Sequence, residues 1–512
     1  MSLARVRAMG LKGVEGYCVL VELDLANGLP SFSTVGLPDD AVREARERVV
    51  AALRNSGFAV PNRRITVNLA PARPRKQGSH YDLPIALALL AASAQIVEAE
   101  PSRRWCVVGE LSLDGRVRPV AGVLAMAARA KAEGMTAFLV PEANIEEARA
   151  AGIEAYPAAD LREAAELFSG ASPRLRAAVA AAEAPRPQAL DLSDVRGQFS
   201  AKRALELAAA GGHNLLFVGP PGTGKSMLAR RLPSLLPELE EEEAVEVTMV
   251  QSACGRAVPG LIRERPFRAP HHSCSAAALV GGGPSARAGE ASLAHGGVLF
   301  LDELAEFSRP ALEALRQPLE DRVVRVARAR DTVEYPTRFT LVAAANPCPC
   351  GWRGHPRKAC VCSSGAVGRY LARLSGPLID RIDLQIEIPA VAFSDWAAPA
   401  ADGESSALVR GRVAGARERQ RARWGGGATA VNAFIEAASF RRGARARPEA
   451  LAALAAAERK TALSARALDR VLRVARTIAD LAQEPEIGAS HVMEAVLQRG
   501  LDRLRSGLEV TA

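Results

Sequence analysis

No stretch of this chain approaches the roughly 18 uncharged apolar residues that a membrane span requires. The segment Met1 to Gly10 also lacks the apolar core and small-residue cleavage site of a secretory signal. Cysteine is sparse, with eight in 512 residues, which argues against a disulfide scaffold. No internal repeat is visible. These absences lead to the expectation of a cytoplasmic protein with no membrane partner.

What is present points to a packed, multidomain protein. Hydrophobic residues make up 48% of the chain, and 512 residues are enough for two to four domains. Lys and Arg number 66 against 57 Asp and Glu, for a net charge of +9. That balance is compatible with an anionic polymer as partner, nucleic acid above all, although charge alone does not decide it.

The chain divides into three blocks. Residues 1–170 alternate strand-like runs (Tyr17–Leu23, Arg64–Leu69, Trp105–Gly109) with helical ones (Asp40–Asn55, Leu83–Ala94, Val123–Glu133). An Ala-rich, Pro-marked linker follows at 171–190. The second block, 191–392, carries the nucleotide motifs. A loop and a long polar helix at 393–430 lead to a helical block, 431–512. There Leu463, Ala467, Val471, Val474 and Ile478 recur near helical spacing.

The apolar run Leu215–Val218 leads into Gly219-Pro220-Pro221-Gly222-Thr223-Gly224-Lys225-Ser226 and then a helical pattern. This is a P-loop in its strand–loop–helix setting. Its glycines let backbone N–H groups converge on phosphate oxygens, and the helix N-terminus adds partial positive charge. Lys225 is expected to reach the β- and γ-phosphates of ATP, and Ser226 to ligate Mg²⁺. A second buried-type strand, Val298–Leu301, ends in Asp302-Glu303. Asp302 is expected at the Mg²⁺, and Glu303 at the attacking water. A solvated turn is the bland alternative for such an acid pair.

With both motifs in place, the block resembles an AAA+ ATPase. That resemblance implies that Asn346, after the strand Phe339–Ala345, orients the water. It also implies that Arg381, within Ile379-Asp380-Arg381-Ile382-Asp383, is a finger supplied to a neighbouring subunit. A surface Asp-Arg-Asp cluster is the competing reading of Arg381. Arg466, opening a helix in the last block, is the implied lid arginine sensing nucleotide in its own chain, with Arg470 as competitor.

Longer strings narrow the resemblance. Val35-Gly36-Leu37-Pro38-Asp39, Phe267-Arg268-Ala269-Pro270-His271-His272-Ser273, Gly289–His295 and Asn346-Pro347-Cys348-Pro349-Cys350-Gly351 are similar to the ComM/YifB family, in the Mg-chelatase-like branch of AAA+ proteins. The likeness runs nearly the whole length. It implies a homo-hexameric ring that moves on single-stranded or branched DNA and promotes branch migration during natural transformation, with recombination proteins as further partners. Residues 323–335 read as a hairpin, with Arg325, Arg328 and Arg330 alternating with apolar residues before Asp331. In this family setting it is a candidate pore hairpin contacting DNA, against the alternative of a solvated strand face. His271 and His272 read equally well as part of a second pore element or as packing and interface groups.

The first block resembles the Lon protease domain, a ribosomal S5 domain 2-like fold. Aligning Lys76 and Gly78 puts His80 where that family has its serine. Aligning Gly109 and Gly122 puts Met126 where it has its lysine. A Ser–Lys dyad needs both groups, so no peptidase activity is expected. Arg63, Arg64, Arg73, Arg75 and Lys76 form a basic cluster that offers DNA a surface, unless it is merely solvated charge. The expected fold is therefore α/β multidomain: a Lon-like α+β domain, an AAA+ P-loop core and a helical lid.

Cys348-Pro349-Cys350 and Cys360-Val361-Cys362 are separated by nine residues. Two Cys-x-Cys pairs can surround one structural Zn²⁺, though Cys-x2-Cys is the commoner spacing and a free-thiol loop is the alternative. The leading expectation is a hexameric ATP-driven DNA motor. Its rivals are the motor subunit of a metal chelatase and a protein-remodelling chaperone or regulator.

Overall fold

A computed structural model describes residues 2–97, 104–171, 190–256, 260–283, 286–327, 332–374, 376–390, 403–427, 429–461 and 463–500. Arg328, Arg330 and the turn residue Asp331 lie outside the described residues. So do nearly all of the linker expected at 171–190 and the first ten residues, 393–402, of the loop expected at the start of 393–430. Among the described residues, no helix is long and apolar enough to cross a membrane.

The chain forms two compact units, one of Met1–Pro185 with Ala244–Ile262, the other of Arg186–Glu243 with Arg263–Ala512. The first is built on a seven-stranded mixed sheet. Its strands run in the order Ser31–Val35, Arg64–Ala70, Glu15–Ala26, Ser2–Lys12, Trp105–Val107, Ala137–Pro141, Glu154–Ala158. Period-two burial fixes the faces: Val19, Val21, Leu23 and Leu25 on one strand and Ile65, Val67 and Leu69 on its neighbour all point into the core. Helix Asp82–Ala92 is apolar all round, as a helix buried on every side must be. Asp39 caps the helical turn after Pro38 by accepting from Val42 N at 2.9 Å. The segment Ala244–Ile262 joins this unit through Ser252, whose Oγ accepts from Gly122 N at 2.8 Å.

Two readings change here. Lys76 belongs to no surface cluster: it is fully buried, and its ammonium donates to Pro71 O. The first-block strands also outnumber those expected, because Ser2–Lys12 pairs along its whole length with Glu15–Ala26.

The second unit is built on a five-stranded parallel sheet, ordered Phe267–Arg268, Val298–Leu301, Thr340–Ala345, Leu215–Val218, Leu384–Glu387. The three middle strands are buried throughout, so their sequences read as continuous apolar runs with no alternation. Helices Ser406–Trp424, Ala437–Gly443, Pro448–Thr461, Ala465–Leu481 and Ala489–Leu497 complete the unit. The stripe Ala467, Val471, Val474 and Ile478 is buried in its core, with Leu463 partly buried beside it. Ser464 caps that helix by accepting from Ala467 N at 3.2 Å.

Candidate functional site

In a parallel sheet every strand delivers its carboxyl end to the same edge, where ligands collect. Val218 leads there into the P-loop, Leu301 into Asp302-Glu303, and Ala345 into Asn346. Three sequence-distant motifs therefore meet. Lys225 Nζ donates to the carbonyls of Gly219 at 2.6 Å and Pro220 at 2.8 Å, and lies 3.3 Å from Asn346 Oδ1. Burial lowers the pKa of this ammonium, and the charges of Asp302 and Glu303 work against that shift. Ser226 Oγ donates to Asp302 Oδ2 at 2.5 Å.

Gly222 and Gly224 adopt φ of 79° and 89°, which side-chain-bearing residues rarely take. Helix Lys225–Ala229 starts directly after. The donor set suits a nucleoside triphosphate with Mg²⁺: a buried amine, a glycine-rich loop, and a hydroxyl and a carboxylate oxygen side by side. Beside the loop lies a cavity of about 580 Å³, lined by Gly219, Pro220, Ile388, Pro347 and Arg353 among others. That size lies within the range of small-ligand pockets.

Glu303 adopts φ of 52°, and its side chain is 55% exposed. The partner the fold gives its carboxylate is His272, whose Nδ1 lies 3.3 Å from Oε2. Sequence reasoning left His272 between a pore element and a packing role and did not link it to Glu303.

The two outlying arginines sit elsewhere. Arg381 precedes the strand Leu384–Glu387, which pairs in parallel with Leu215–Val218. It therefore lies at the amino end of the P-loop strand, roughly 13 Å of strand away from the phosphate loop. Asn214 Nδ2 donates to Arg381 O at 3.1 Å, and Asn214 N donates to Asp383 Oδ2 at 2.9 Å. Arg381 is nearly buried, with Nη2 2.5 Å from Glu320 Oε1. Arg466 lies near the same carboxylate, Nη2 3.9 Å from that oxygen, and its side chain is 65% exposed. Arg470 pairs instead with Asp383. Burial pushes the Asp383 carboxyl up, but Arg470 and His213 hold it well below the usual range.

The expected hairpin is present: Val323–Ala327 pairs antiparallel with Thr332–Pro336. Val324 and Val326 are buried, while Arg325 faces out and meets Glu334 at 2.7 Å. The four clustered cysteines also converge. Their ligand atoms all lie within 4.8 Å of one another. Cys348 Sγ is 3.4 Å from Cys350 Sγ and 3.6 Å from Cys360 Sγ, and Cys350 and Cys360 are 3.6 Å apart. Zn–S bonds of about 2.3 Å in a tetrahedron require sulfurs about 3.8 Å apart, close to these spacings. The Trp352 N–H, then that of Val361, draws the Cys350 thiol down to about 6.

In the first unit, the two positions that would carry a protease dyad hold His80 and Met126, both buried. Ser79 donates to the Glu110 carboxylate. Lys131 Nζ donates to Ala151 O at 3.4 Å.

Comparison with known proteins fits this architecture. Residues 191–396 match the magnesium chelatase subunit ChlI family, 21–144 a second ChlI domain family, and 403–499 the ChlI C-terminal family. The chain is 44% identical over 506 residues to the YifB protein of Escherichia coli (strain K12), covering 98% of each. It is 43% identical over 511 residues to the competence protein ComM of Haemophilus influenzae, covering 98% of this chain and 99% of that one. The chain belongs to the Mg-chelatase-like YifB/ComM family. Membership makes it an AAA+ ATPase. A further similarity, 26% over 144 residues, is to the Lon protease of Salinispora arenicola and covers 27% of this chain and 18% of that one. It accords with a Lon-like amino-terminal unit in a YifB/ComM protein.

Proposed function

We propose that this protein is a ring-forming, ATP-driven motor that acts on branched or recombining DNA in the cytoplasm, in keeping with a relative named a competence protein. The observation that carries the reading is the Arg325-bearing hairpin, Val323–Ala327 with Thr332–Pro336, built in the same unit as the P-loop site. The exposed Arg325 guanidinium, paired with Glu334 in the free protein, suits a phosphate contact, which positions a nucleic acid without reading its sequence. Arg328 and Arg330 belong to the same proposed contact.

The roles of the site follow from its chemistry. The P-loop residues Gly219 to Ser226 bind the phosphates, and Lys225 exchanges its carbonyl partners for β- and γ-phosphate oxygens. Ser226 and Asp302 hold Mg²⁺, which when bound withdraws negative charge from the phosphoryl oxygens. Glu303 takes up a proton from the attacking water, and Asn346 orients that water. The cavity beside Gly219 accommodates the nucleoside.

Arg381 cannot reach the nucleotide of its own chain from the far end of the strand. We therefore assign it to the neighbouring subunit's γ-phosphate, in a homo-oligomer read as a hexamer. Arg466 shares Glu320 with Arg381. We assign it to the same neighbour, in place of the cis role that the sequence suggests. The four cysteines are proposed to hold one structural Zn²⁺ that rigidifies the loop after Asn346.

DNA-stimulated ATPase with strand displacement on a forked or four-way substrate is the expected result. Absence of DNA binding at low salt, where phosphate contacts are strongest, would overturn the reading.

A further inference from the structure

After Asn346 the chain does not pass straight into a helix. Residues 347–362 form a loop that carries the clustered cysteines, and helix Ser364–Arg373 follows. Local hydrogen bonds shape it: Gly351 N donates to Cys348 O at 2.9 Å, and His355 N to Trp352 O at 3.0 Å. His355 Nδ1 in turn accepts from Arg357 N at 3.1 Å and Lys358 N at 3.0 Å. Cys348 is fully buried, so the sulfur cluster fastens the loop to the body of the ATPase unit.

The loop touches the phosphate loop directly. Gly351 takes φ of 81°, and a Cβ there would lie 2.8 Å from Cγ and Cδ of Pro221 and 3.9 Å from Asn346 Cγ. Both the backbone angle and the close approach call for glycine. The cysteines thus hold a turn that rests on Pro221 and sits beside Asn346.

Just beyond that turn, Arg353 and Gly354 line the cavity of about 580 Å³ that Gly219 and Pro220 also line. Apart from Arg353, Glu387 and Ser200, its walls are glycine, proline and aliphatic side chains. The neighbouring cation Lys358 is engaged, with Nζ 3.9 Å from the centroid of the Trp352 ring. Arg353 is exposed and has no hydrogen-bond, ion-pair or ring partner among the described residues.

We propose that Arg353 is a nucleotide-binding residue whose guanidinium stacks on the base of ATP, and that the four-cysteine cluster seats it by holding Gly351 on Pro221. The proposal rests on the reading of this cavity as the place of the nucleoside. A guanidinium is planar and weakly hydrated, so between apolar walls it packs on the face of a purine better than a compact, strongly hydrated ammonium does. The phosphates already have Lys225 and the glycine-rich loop. That leaves the Arg353 guanidinium for the other end of the ligand.

The test is calorimetric titration of the full-length protein with Mg²⁺ and either a non-hydrolysable ATP analogue or inorganic triphosphate, which has no base. Arg353→Ala is expected to weaken the analogue about tenfold and to leave the affinity for triphosphate unchanged. Arg353→Lys keeps the charge, loses the plane, and is expected to behave as Arg353→Ala. Cys360→Ser is expected to weaken the analogue to a similar degree, and adding Arg353→Ala to it to cost nothing further, since both act through one contact. Because Arg353 is exposed, its own variants decide the contact whatever Cys360→Ser does to folding. Wild-type affinity for the analogue in Arg353→Ala overturns the proposal. Equal losses for the two ligands, or rescue by lysine, would make Arg353 a phosphate contact and overturn it as well. Additive losses in the double variant would overturn the seating by the cysteines. If wild type binds neither ligand, the nucleotide-site reading itself fails, and the proposal with it.

Discussion

Glu320 brings Arg381 and Arg466 together: Arg381 Nη2 is 2.5 Å from Glu320 Oε1, and Arg466 Nη2 is 3.9 Å from the same oxygen. The two arginines are 85 positions apart in sequence, 381 to 466. One precedes an edge strand of the ATPase sheet and the other opens a lid helix. Arg381 is nearly buried against this carboxylate while Arg466 stays largely exposed beside it, and Arg381 lies at the end of the P-loop strand away from the phosphates.

That placement leads to a mixed-ring prediction. Arg381→Ala should lower ATP hydrolysis by about 10³-fold or more, the scale of an arginine finger. Rings that mix Arg381→Ala with Glu303→Gln subunits should regain activity. An Arg381→Ala site keeps its own Glu303, and a Glu303→Gln neighbour still donates Arg381. Steady-state ATPase against mixing ratio is the measurement. No recovery at any ratio would place the arginine's action within its own chain.

Glu303→Gln should separate binding from chemistry. The amide keeps the shape of the side chain and loses the proton acceptor, a change worth about 10²- to 10⁴-fold in a general base. Fluorescent ATP analogue titration should give wild-type affinity while phosphate release collapses. Lys225→Ala should instead lose affinity, because the buried ammonium is placed to exchange backbone carbonyls for phosphate oxygens.

The cysteine cluster makes a prediction that needs no activity. Purified protein should carry one zinc per chain by elemental analysis, released stoichiometrically on thiol modification. Cys360→Ser should abolish the zinc and lower Tm, since a structural site contributes its binding energy to folding. Zinc-free wild-type protein with four freely titrating thiols would leave the cluster as an ordinary loop.

How far the sequence could be read depended on the range of the contacts. The P-loop, the Asp302-Glu303 strand and the 323–335 hairpin are local patterns, and each takes the form its own residues dictate. The lid stripe from Ala467 to Ile478 was legible for the same reason, since helical spacing alone sorts its faces. Glu320 carried no signal, because its meaning arises only when residues 381 and 466 fold against it. His272 showed as an unusual His-His pair, yet its partner Glu303 follows a different strand, Val298–Leu301. Lys76 looked like one more surface cation, and only its burial against the Pro71 carbonyl removes it from that cluster. Strand Ser2–Lys12 was missed because three successive buried residues, Ala8, Met9 and Gly10, break its alternation.

Acid should weaken the first unit through His80. This imidazole is buried, its Nε2 has no hydrogen-bond partner, and burial pushes its pKa down to about 4. The unfolded chain titrates near 6.5, so between those values the unfolded state binds more protons than the folded one. Stability must therefore rise with pH across that window and be lost as pH falls through it. One proton over that span is worth about 3 kcal/mol. Asp82 acts in the opposite sense: burial raises its carboxyl to about 6 despite Arg48, so its contribution falls as pH rises from about 4 to 6. The readout is thus the difference between wild type and His80→Phe, which fills similar space without a titrating nitrogen. Urea unfolding followed at pH 7 and pH 5 should show wild type losing more stability than the variant. Equal losses in the two proteins would mean that His80 is hydrated, or already charged, in the folded state.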